Sequence, residues 1–342
     1  MIKVDGSVGE GGGQVLRTAL TLSILTGKEF RIDNIRGNRS QPGLKNQHLT
    51  ALRAAGEICG AAVEGDRLES QQVTFHPGEV RSGNYQFEIP TAGSAALVLQ
   101  TLLLPLSHAS ESSTVQVIGG THVPWSPCYH YLVWQWLPAL KKVGFQAELE
   151  LDRAGYYPRG GGQITARIQP GAGSNPLTML DRGEVREISG LSGVSNLPLK
   201  IAHRQREQVV RKLGPHFPLN NIRAREVPAV AKGTFIALNA EWAGGRACFF
   251  SLGRPGKPAE QVGQEAVEEI QGWAESGGVM DRFLPDQLQI PLSFARGVSR
   301  IRVPEFTSHL RTNAEVIAEF VEVDFRFEEE TQILTIRPPT EK

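Results

Sequence analysis

The sequence has few cysteines, no long apolar run and no excess of either charge. Three of its 342 residues are cysteine, and no two of them form a Cys-x-x-Cys pair. A disulfide framework and a structural zinc site are therefore not expected. No stretch reaches the roughly 18 consecutive apolar residues of a membrane-spanning helix. Lys plus Arg and Asp plus Glu number 36 each, so any polyanion site must come from local clustering of basic side chains.

Two further observations concern metals and targeting. Cys128 and His130 could both touch a metal, but the sequence shows no partner ligand for them. The first residues, MIKVDG, fit a strand and not a signal peptide. We therefore expect a reduced, soluble, cytoplasmic protein that does not contact a membrane. Its oligomeric state is left open.

Glycine is abundant and falls in clusters. The clusters separate short segments whose apolar residues follow the spacing of a strand or of a helix. Before residue 180 the pattern strand–helix–strand–helix–strand–strand recurs. This recurrence favours a repeat-built α/β (α+β) domain over a doubly wound dinucleotide fold. Residues 184–272 instead show one strand, a helix, three strands and a helix. We predict an inserted small domain over residues 183–276, and a repeat-built catalytic domain made of residues 1–182 and 277–342.

The spacing of apolar residues also predicts where the individual elements lie. Helices are predicted over 13–26, 44–59, 93–107, 126–143, 199–213, 259–273 and 312–320. Strands are predicted near 2–5, 30–35, 71–76, 84–89, 114–118, 145–151, 184–192, 221–227, 234–241, 246–252 and 299–303.

A glycine-rich loop, GEGGGQ from Gly9 to Gln14, follows the first predicted strand and opens the first predicted helix. Glycine allows positive φ and close approach of a ligand to the backbone, and a helix N-terminus favours phosphate. The loop is neither a P-loop nor a dinucleotide-binding fingerprint. Glu10 could reach a metal bound to phosphates. A tight turn with a solvated glutamate explains the motif equally well.

Basic and polar side chains cluster near this loop in the sequence. Arg17 lies one turn into the first helix, and Arg36 and Arg39 follow the next strand. Arginines at strand ends suit bidentate phosphate contact, although a solvated surface is the commoner explanation. Gln47 and His48 lie on the next helix, where a lone histidine is more often a packing residue than a catalytic one.

His309 lies in the segment FTSHLRTN, from Phe306 to Asn313, whose hydrogen-bonding side chains suit a loop leading into a helix N-cap. A helix N-terminus disfavours the imidazolium ion and so preserves a neutral, nucleophilic nitrogen. Histidine is an established covalent nucleophile. On these grounds alone, a neighbour of the helix cap remains the better explanation.

Taken together, these segments resemble the RNA 3′-terminal phosphate cyclase family. The matching stretches occur in family order and cover nearly the whole chain: Asp5-Gly6, Gly9 to Arg17, residues 35–44, Gln47 to Ala51, Gly93-Ser94, residues 99–101, Gly119 to Thr121, Gly155 to Gly162, Leu284 to Leu288 and Ser308 to Asn313. The resemblance implies three repeated units, each a four-stranded sheet with two helices. It also implies one inserted domain similar to the C-terminal domain of translation initiation factor 3.

The activity that the resemblance implies is ATP-dependent conversion of an RNA 3′-terminal phosphate to a 2′,3′-cyclic phosphate. A histidine attacks the α-phosphorus of ATP and releases diphosphate. The AMP then passes to the RNA 3′-phosphate as an anhydride, and the vicinal 2′-hydroxyl closes the ring and releases AMP. The implied partners are RNA with a 3′-phosphate end, ATP as co-substrate, and Mg²⁺ or Mn²⁺.

The resemblance also implies roles for individual residues. His309 matches the nucleophile, and Glu10 matches the position that helps hold the metal. Positions for ATP and RNA phosphates are matched by Arg17, Arg36, Arg39 and Gln47, with His48 beside them in a phosphate or acid role. The nucleoside-binding positions are matched by Gln100, Phe283, Leu284, Pro285, Asp286 and Gln287. Phe283 replaces a tyrosine found in other members, which keeps a stacking ring but loses its hydroxyl. The residues from His122 to Trp125 also differ from the usual sequence of the family at this loop.

Two alternatives belong to different classes. Eukaryotic cyclase-like proteins share the implied fold but are non-catalytic RNA-binding factors in ribosome assembly, and they lack the nucleophilic histidine. Enolpyruvyl transferases are built from a similar repeated unit but lack the Ser-His-x-x-Thr-Asn pattern. His309, Glu10 and Arg17 together favour the enzyme.

Overall fold

The structure is a computed structural model, and it describes residues 1–171, 173 and 175–339. These residues form four small four-stranded sheets with helices packed against them. The predicted mixed α/β (α+β) class is therefore confirmed. None of the helices in the described part of the chain combines the length and apolar character needed to cross a bilayer.

The first unit has the predicted alternation of strands and helices. Its elements are β1 (Ile2–Asp5), α1 (Gln14–Thr26), β2 (Phe30–Asp33), α2 (Asn46–Cys59), β3 (Ala62–Glu64) and β4 (Val73–His76). The strand order is β1-β2-β4-β3, with β1 and β2 parallel and the other pairs antiparallel. Helices α1 and α2 end at Gly27 and Gly60, whose left-handed backbone stops each helix.

The second unit repeats this plan with longer strands. Its elements are β5 (Asn84–Glu88), α3 (Ala95–Ser107), β6 (Ser113–Gly119), α4 (Tyr129–Tyr131), a π-helical turn (Leu132–Trp136), α5 (Leu137–Val143), β7 (Ala147–Arg153) and β8 (Gly162–Ile168). The strand order is β5-β6-β8-β7. The helix predicted over 126–143 therefore begins three residues late and contains a π-helical turn.

The third unit begins with β9 (Thr178–Met179), and a separate block follows before the unit continues. The elements of the block are β10 (Glu187–Ser195), α6 (Lys200–Leu213), β11 (Leu219–Glu226), β12 (Gly233–Trp242), β13 (Gly245–Leu252) and α7 (Ala259–Ser276). Its strand order, β11-β10-β12-β13, differs from that of the repeated units. The block has an apolar cluster of its own. The domain limits at residues 183 and 276 stay a prediction.

The remainder of the third unit restores the repeat. Its elements are α8 (Leu284–Ser293), β14 (Ser299–Arg302), α9 (Ser308–Phe320), β15 (Asp324–Glu328) and β16 (Ile333–Arg337). Strand β9 pairs in parallel with β14, and the order β9-β14-β16-β15 matches the first two sheets. Helix α1 packs against α2, α3 and α9. This packing connects the glycine loop of the first unit to the third unit.

Candidate active site

The glycine loop before α1 meets the first turn of α9. His309 Nε2 lies 2.8 Å from Glu10 Oε2, and the Ser308 hydroxyl donates to Glu10 Oε1 at 2.5 Å. The side chain of Thr307 caps α9 by accepting from the Leu310 amide at 3.1 Å. The predicted start of this helix at residue 312 is therefore wrong. His309 belongs to the first helical turn and not to a preceding loop, because the cap is Thr307.

The close approach of these segments requires glycine at two positions. Gly9 has φ of 60°, and a Cβ there would overlap the Thr312 hydroxyl on α9. A Cβ on Gly13 would overlap Nε2 of His48. Gly9 is therefore required for both its positive φ and its contact with α9, whereas Gly13 is required for its contact with α2.

The His309 ring is held by contacts from α1 and α8. Its Nδ1 lies 3.7 Å from Asp286 Oδ2, and Gln14 Nε2 donates to its carbonyl oxygen at 3.1 Å. Asn313 Nδ2 donates to the Asp286 carbonyl at 2.8 Å, and the Thr18 hydroxyl donates to Asn313 Oδ1 at 2.5 Å. The ring thus has a carboxylate facing each nitrogen, of which Glu10 is exposed and Asp286 is only 12% exposed.

The charges around His309 are strongly perturbed by their surroundings. Burial raises the pKa of Asp286 to about 8, assisted by nearby Asp281 and opposed by Arg17. Desolvation lowers the pKa of Arg17 to about 10, so it stays cationic at neutral pH. The hydrogen bond from Ser308 is the main cause that lowers the pKa of Glu10. The site therefore combines an anionic Glu10, a cationic Arg17 and an Asp286 that ionises near neutral pH.

The other predicted phosphate contacts differ in how available they are. Arg39 Nη2 lies 3.3 Å from Glu10 Oε2, and its side chain is 46% exposed. Arg36 has φ of 56°, and its Nη1 donates to the carbonyls of Gln41 and Gly43 at 2.6 and 3.0 Å. Arg39 is free to turn toward a ligand, whereas one nitrogen of Arg36 braces its own loop.

His48 lies between these basic groups and the glycine loop. Burial, followed by the charges of Arg17 and Arg36, lowers its pKa to about 3. Its Nδ1 accepts from the Lys45 amide at 3.3 Å, so the neutral ring carries its proton on Nε2, beside Gly13. His48 is therefore suited to donate a hydrogen bond to an anion and not to act as a cationic acid.

The predicted nucleoside positions fall into an exposed and a buried group. Phe283 is 48% exposed, and the Arg282 guanidinium lies 4.9 Å from its ring centre. Gln100 Nε2 donates to Gln287 Oε1 at 2.6 Å, which joins α3 to α8. Leu284 and Pro285 are both buried at the start of α8. They shape the helix and offer no surface to a ligand.

Gln47 is engaged within the protein. Its Oε1 accepts from the Ser94 amide at 2.7 Å, a contact that bridges the first and second units. Ser94 itself caps α3 by accepting from the Leu97 amide at 3.2 Å. Gln47 therefore fixes the relative position of two helices through its side-chain oxygen.

The sequence model of the RNA 3′-terminal phosphate cyclase family matches residues 8–327. The chain belongs to this family. A protein named RNA 3′-terminal phosphate cyclase from Gloeothece citriformis is 39% identical over 347 residues, which cover 99% of each chain. Proteins of the same name from Thermococcus onnurineus and Ectopseudomonas mendocina are each 41% identical. The first match covers 96% of each chain, and the second covers 94% of this chain and 93% of the other.

A solved structure of the enolpyruvyl transferase NikO from Streptomyces tendae aligns with half of this chain and a third of its own. The sequence identity is 15% and the TM-score is 0.29, which is too low to indicate a shared overall fold.

For this cyclase family member, the fit of a divalent ion rests on Glu10. The carboxylate is exposed and anionic, and it lies in the glycine loop within reach of His309. Mg²⁺ is commonly bound through one or two carboxylates, with substrate phosphates and water completing its shell. A single exposed carboxylate beside a phosphate-suited loop fits that pattern. In the structure Glu10 Oε2 is shared by His309 and Arg39.

One polar group near the site has no motif in the sequence. Asp281 is buried; its Oδ1 accepts from the Tyr131 hydroxyl at 3.1 Å and the Leu284 amide at 3.0 Å, and also from Gln135. Burial raises its pKa to about 6. The position of Asp281 gave no cap signal, because Phe283 is the N-cap residue of α8 and Asp281 lies two residues before it. The Tyr131 hydroxyl also accepts from Gln287 at 3.2 Å, which links this network to the predicted nucleoside site.

Proposed function

We propose that the chain is an ATP-dependent RNA 3′-terminal phosphate cyclase that works through a covalent His309–AMP intermediate. The observation that carries the proposal is the His309 ring, held between Glu10 at 2.8 Å and Asp286 at 3.7 Å in the first turn of α9. Membership of the cyclase family supplies the reaction class. The geometry supports the assignment of roles.

In the first step, the lone pair of His309 Nε2 attacks the α-phosphorus of ATP. The bond from that phosphorus to the bridging oxygen breaks, and diphosphate leaves. Attack requires that Nε2 carry no proton, so the ring proton must lie on Nδ1, which faces Asp286. Ionised Asp286 then stabilises the positive charge that forms on the ring, and Glu10 must turn away from Nε2.

The cationic groups around the loop are placed to bind the phosphates. Arg17 and Arg39 carry charge next to the glycine loop, and neutral His48 offers an Nε2–H donor. Backbone amides of the loop and of the α1 N-terminus add partial positive charge. A divalent ion held by Glu10, Mg²⁺ or Mn²⁺, would supply further positive charge against the diphosphate leaving group.

In the second step, an oxygen of the RNA 3′-phosphate attacks the same α-phosphorus, and the bond to His309 Nε2 breaks. The ring leaves easily because Nδ1 keeps its proton, so the leaving group is a neutral imidazole. In the third step, the 2′-hydroxyl attacks the activated 3′-phosphorus, loses its proton and expels AMP. The product is a 2′,3′-cyclic phosphate. Phe283 offers an exposed ring on which adenine can stack during the first step.

The test is incubation with α-labelled ATP and Mg²⁺ or Mn²⁺, followed by denaturing electrophoresis. We expect acid-labile label on the wild-type chain and none on His309→Ala. The exposed histidine of α6, His203, provides a matched control, and His203→Ala should be labelled like the wild type. Absence of label on the wild type, or label that persists in His309→Ala, would overturn the proposal. RNA binding without label would point instead to the non-catalytic RNA-binding class.

Two variants test the phosphate and metal assignments. Glu10→Ala and Arg17→Ala should each slow adenylylation at saturating ATP, because Glu10→Ala removes the proposed carboxylate ligand of the metal ion and Arg17→Ala removes a cation next to the transferred phosphate. A hydrogen bond to a charged group contributes roughly 1.5–3 kcal/mol, which corresponds to about 10- to 150-fold in rate. Arg53→Ala, which removes an exposed arginine paired with Asp66, is the control and should react normally. Normal rates for the first two variants would remove both residues from the site.

A further inference from the structure

A second group of metal-ligating side chains lies outside the site described above. It is formed by His122, which follows β6, and by Cys128 and His130 at the start of α4. One ligand atom from each residue lies within 4.8 Å of the other two. All three residues are buried, with exposed fractions of 1%, 0% and 6%. The sequence alone indicated no further metal ligand beside Cys128 and His130. The fold places His122 next to them.

The spacing of these atoms is close to that of a metal shell. His122 Nε2 and His130 Nδ1 lie 3.1 Å apart. Two nitrogens at about 2.0–2.1 Å from a tetrahedral zinc ion are separated by roughly 3.3 Å. A small movement of the two rings would therefore admit an ion between them. In the structure the same nitrogens share a hydrogen bond, which one of the two rings must donate.

The surroundings orient each ligand as metal sites require. The Thr121 hydroxyl lies 2.8 Å from His122 Nδ1, and the Gly155 amide donates to the same hydroxyl at 2.9 Å. The second lone pair of this hydroxyl can accept the Nδ1 proton of His122, and that tautomer leaves Nε2 for a metal. The backbone amides of His130 and Tyr131 donate to the sulfur of Cys128, the residue that precedes α4. Burial raises the pKa of this thiol to about 12, and the amides oppose that rise only in part. A metal ion bound by the sulfur would itself displace the proton, because a coordinating thiol is deprotonated.

The group also joins the second unit to the separate block. The His122 ring stacks on Phe235 of β12, with 4.2 Å between ring centres and 28° between planes. His130 lies 4.9 Å from the same ring. Tyr156, whose ring centre is 5.7 Å from that of His122, shares a hydrogen bond of 2.9 Å with Ser195 of β10. An ion at this position would fix the loop that packs against β10 and β12.

We propose that His122, Cys128 and His130 bind one divalent transition-metal ion of the zinc class, which holds the second unit against the separate block. Two imidazole nitrogens and one thiolate are borderline-soft ligands that select zinc or cobalt. Magnesium and calcium require oxygen ligands and would not bind here. The ion is therefore different in kind from the one expected at Glu10. This proposal does not depend on the proposed function.

The test uses the full-length protein, stripped with a chelator and titrated with Co²⁺. We expect one equivalent to bind with a thiolate-to-cobalt charge-transfer band in the near ultraviolet, and Zn²⁺ to displace it. Cys128→Ser should lose the band. Cys59→Ser, which removes another buried cysteine far along the chain in α2, should keep it. Excess Mg²⁺ should leave the band unchanged.

Three outcomes would overturn the proposal: no stoichiometric Co²⁺ or Zn²⁺ on the wild type, binding without a thiolate band, or a band that persists in Cys128→Ser. The wild-type titration decides the question even where Cys128→Ser fails to fold. Thr121→Val provides a second arm, because it removes only the hydroxyl behind His122. We expect Co²⁺ affinity to fall by about 10- to 100-fold while Thr121→Ser keeps it. Equal affinity in these two variants would also count against the site.

Discussion

Asp286→Asn is the substitution that examines the proposed chemistry most closely. The carboxylate is 12% exposed and lies 3.7 Å from His309 Nδ1. The titratable groups facing it are His309, Arg17 on α1, Asp281 on the preceding loop and Tyr131 on α4. The amide in the variant retains the size of the side chain but cannot become an anion. It therefore cannot stabilise the imidazolium that forms when Nε2 attacks phosphorus.

The magnitude follows from the strength of such a contact. The two groups are 3.7 Å apart, beyond hydrogen-bond length, so the Nδ1–H must move toward the carboxylate as the imidazolium forms. A hydrogen bond to a charged group contributes roughly 1.5–3 kcal/mol, so its loss should lower the first-order rate of adenylylation by about 10- to 150-fold. The KM for ATP should change little, because in this account Asp286 acts through His309 and not on the nucleoside. A large rise in KM with an unchanged maximal rate would assign Asp286 to the ribose or base instead.

The pH dependence gives a signature that a structural role would not produce. Burial raises the pKa of Asp286 to about 8, so the carboxylate is ionised above that pH and protonated below it. The advantage of the wild type over Asp286→Asn should be complete above pH 8. Below pH 8, the ratio of the wild-type rate to the Asp286→Asn rate should fall by up to about tenfold for each pH unit.

The assay is single-turnover adenylylation with α-labelled ATP, measured for both proteins between pH 6 and 9. Asp66→Asn is the control, because Asp66 is an exposed aspartate paired with Arg53. The control should follow the wild-type profile. A wild-type to Asp286→Asn ratio that is constant across this range, or a variant as fast as the wild type, would refute the reasoning.

Two other substitutions test the loop and the nucleoside position. Gly9→Ala should abolish most adenylylation because its methyl group meets Thr312. Gly27→Ala is the control: its φ of 67° is similar but nothing lies within 4 Å, so it should cost only about 1–2 kcal/mol of stability. Adenylylation rates and thermal unfolding of both variants measure this, and equal activity would contradict the prediction. Phe283→Ala should raise the KM for ATP by about 2- to 10-fold through lost stacking. Phe294→Ala, at the other end of α8, should leave the KM unchanged. A KM that rises equally in both variants would show that Phe283 has no stacking role.

Much of the fold was predictable because apolar residues recur at helical spacing in helices that bury one face. Helices α1 and α2 lie within two residues of their predicted limits. Helix α8 was missed because Pro285 and Pro291 interrupt the sequence LPDQLQIPLS. Pro285 is nevertheless tolerated in the first turn, where an amide hydrogen has no helical partner. Strands such as β3 (Ala62–Glu64) are too short for alternation to identify them.

Only the resemblance predicted which residues form the site, and nothing predicted the contacts between those residues. No spacing rule places Glu10 against Ser308 and His309, which lie about 300 residues away in the sequence. Likewise, nothing in the sequence indicates that Gln47 is occupied by the Ser94 amide or that Asp286 faces the His309 ring. These contacts depend on the packing of α1 against α9, of α2 against α3 and of α8 against α9.

The central claim is that His309, among the eight histidines of the chain, carries AMP. The most direct measurement is mass spectrometry of peptides from protein incubated with ATP and metal in the absence of RNA, under alkaline conditions that preserve a phosphoramidate. We predict one adenylyl group, located on the peptide that contains His309, and its loss when RNA with a 3′-phosphate end is added. An adenylyl group on any other residue, or unmodified protein under conditions in which cyclic phosphate is formed, would contradict it.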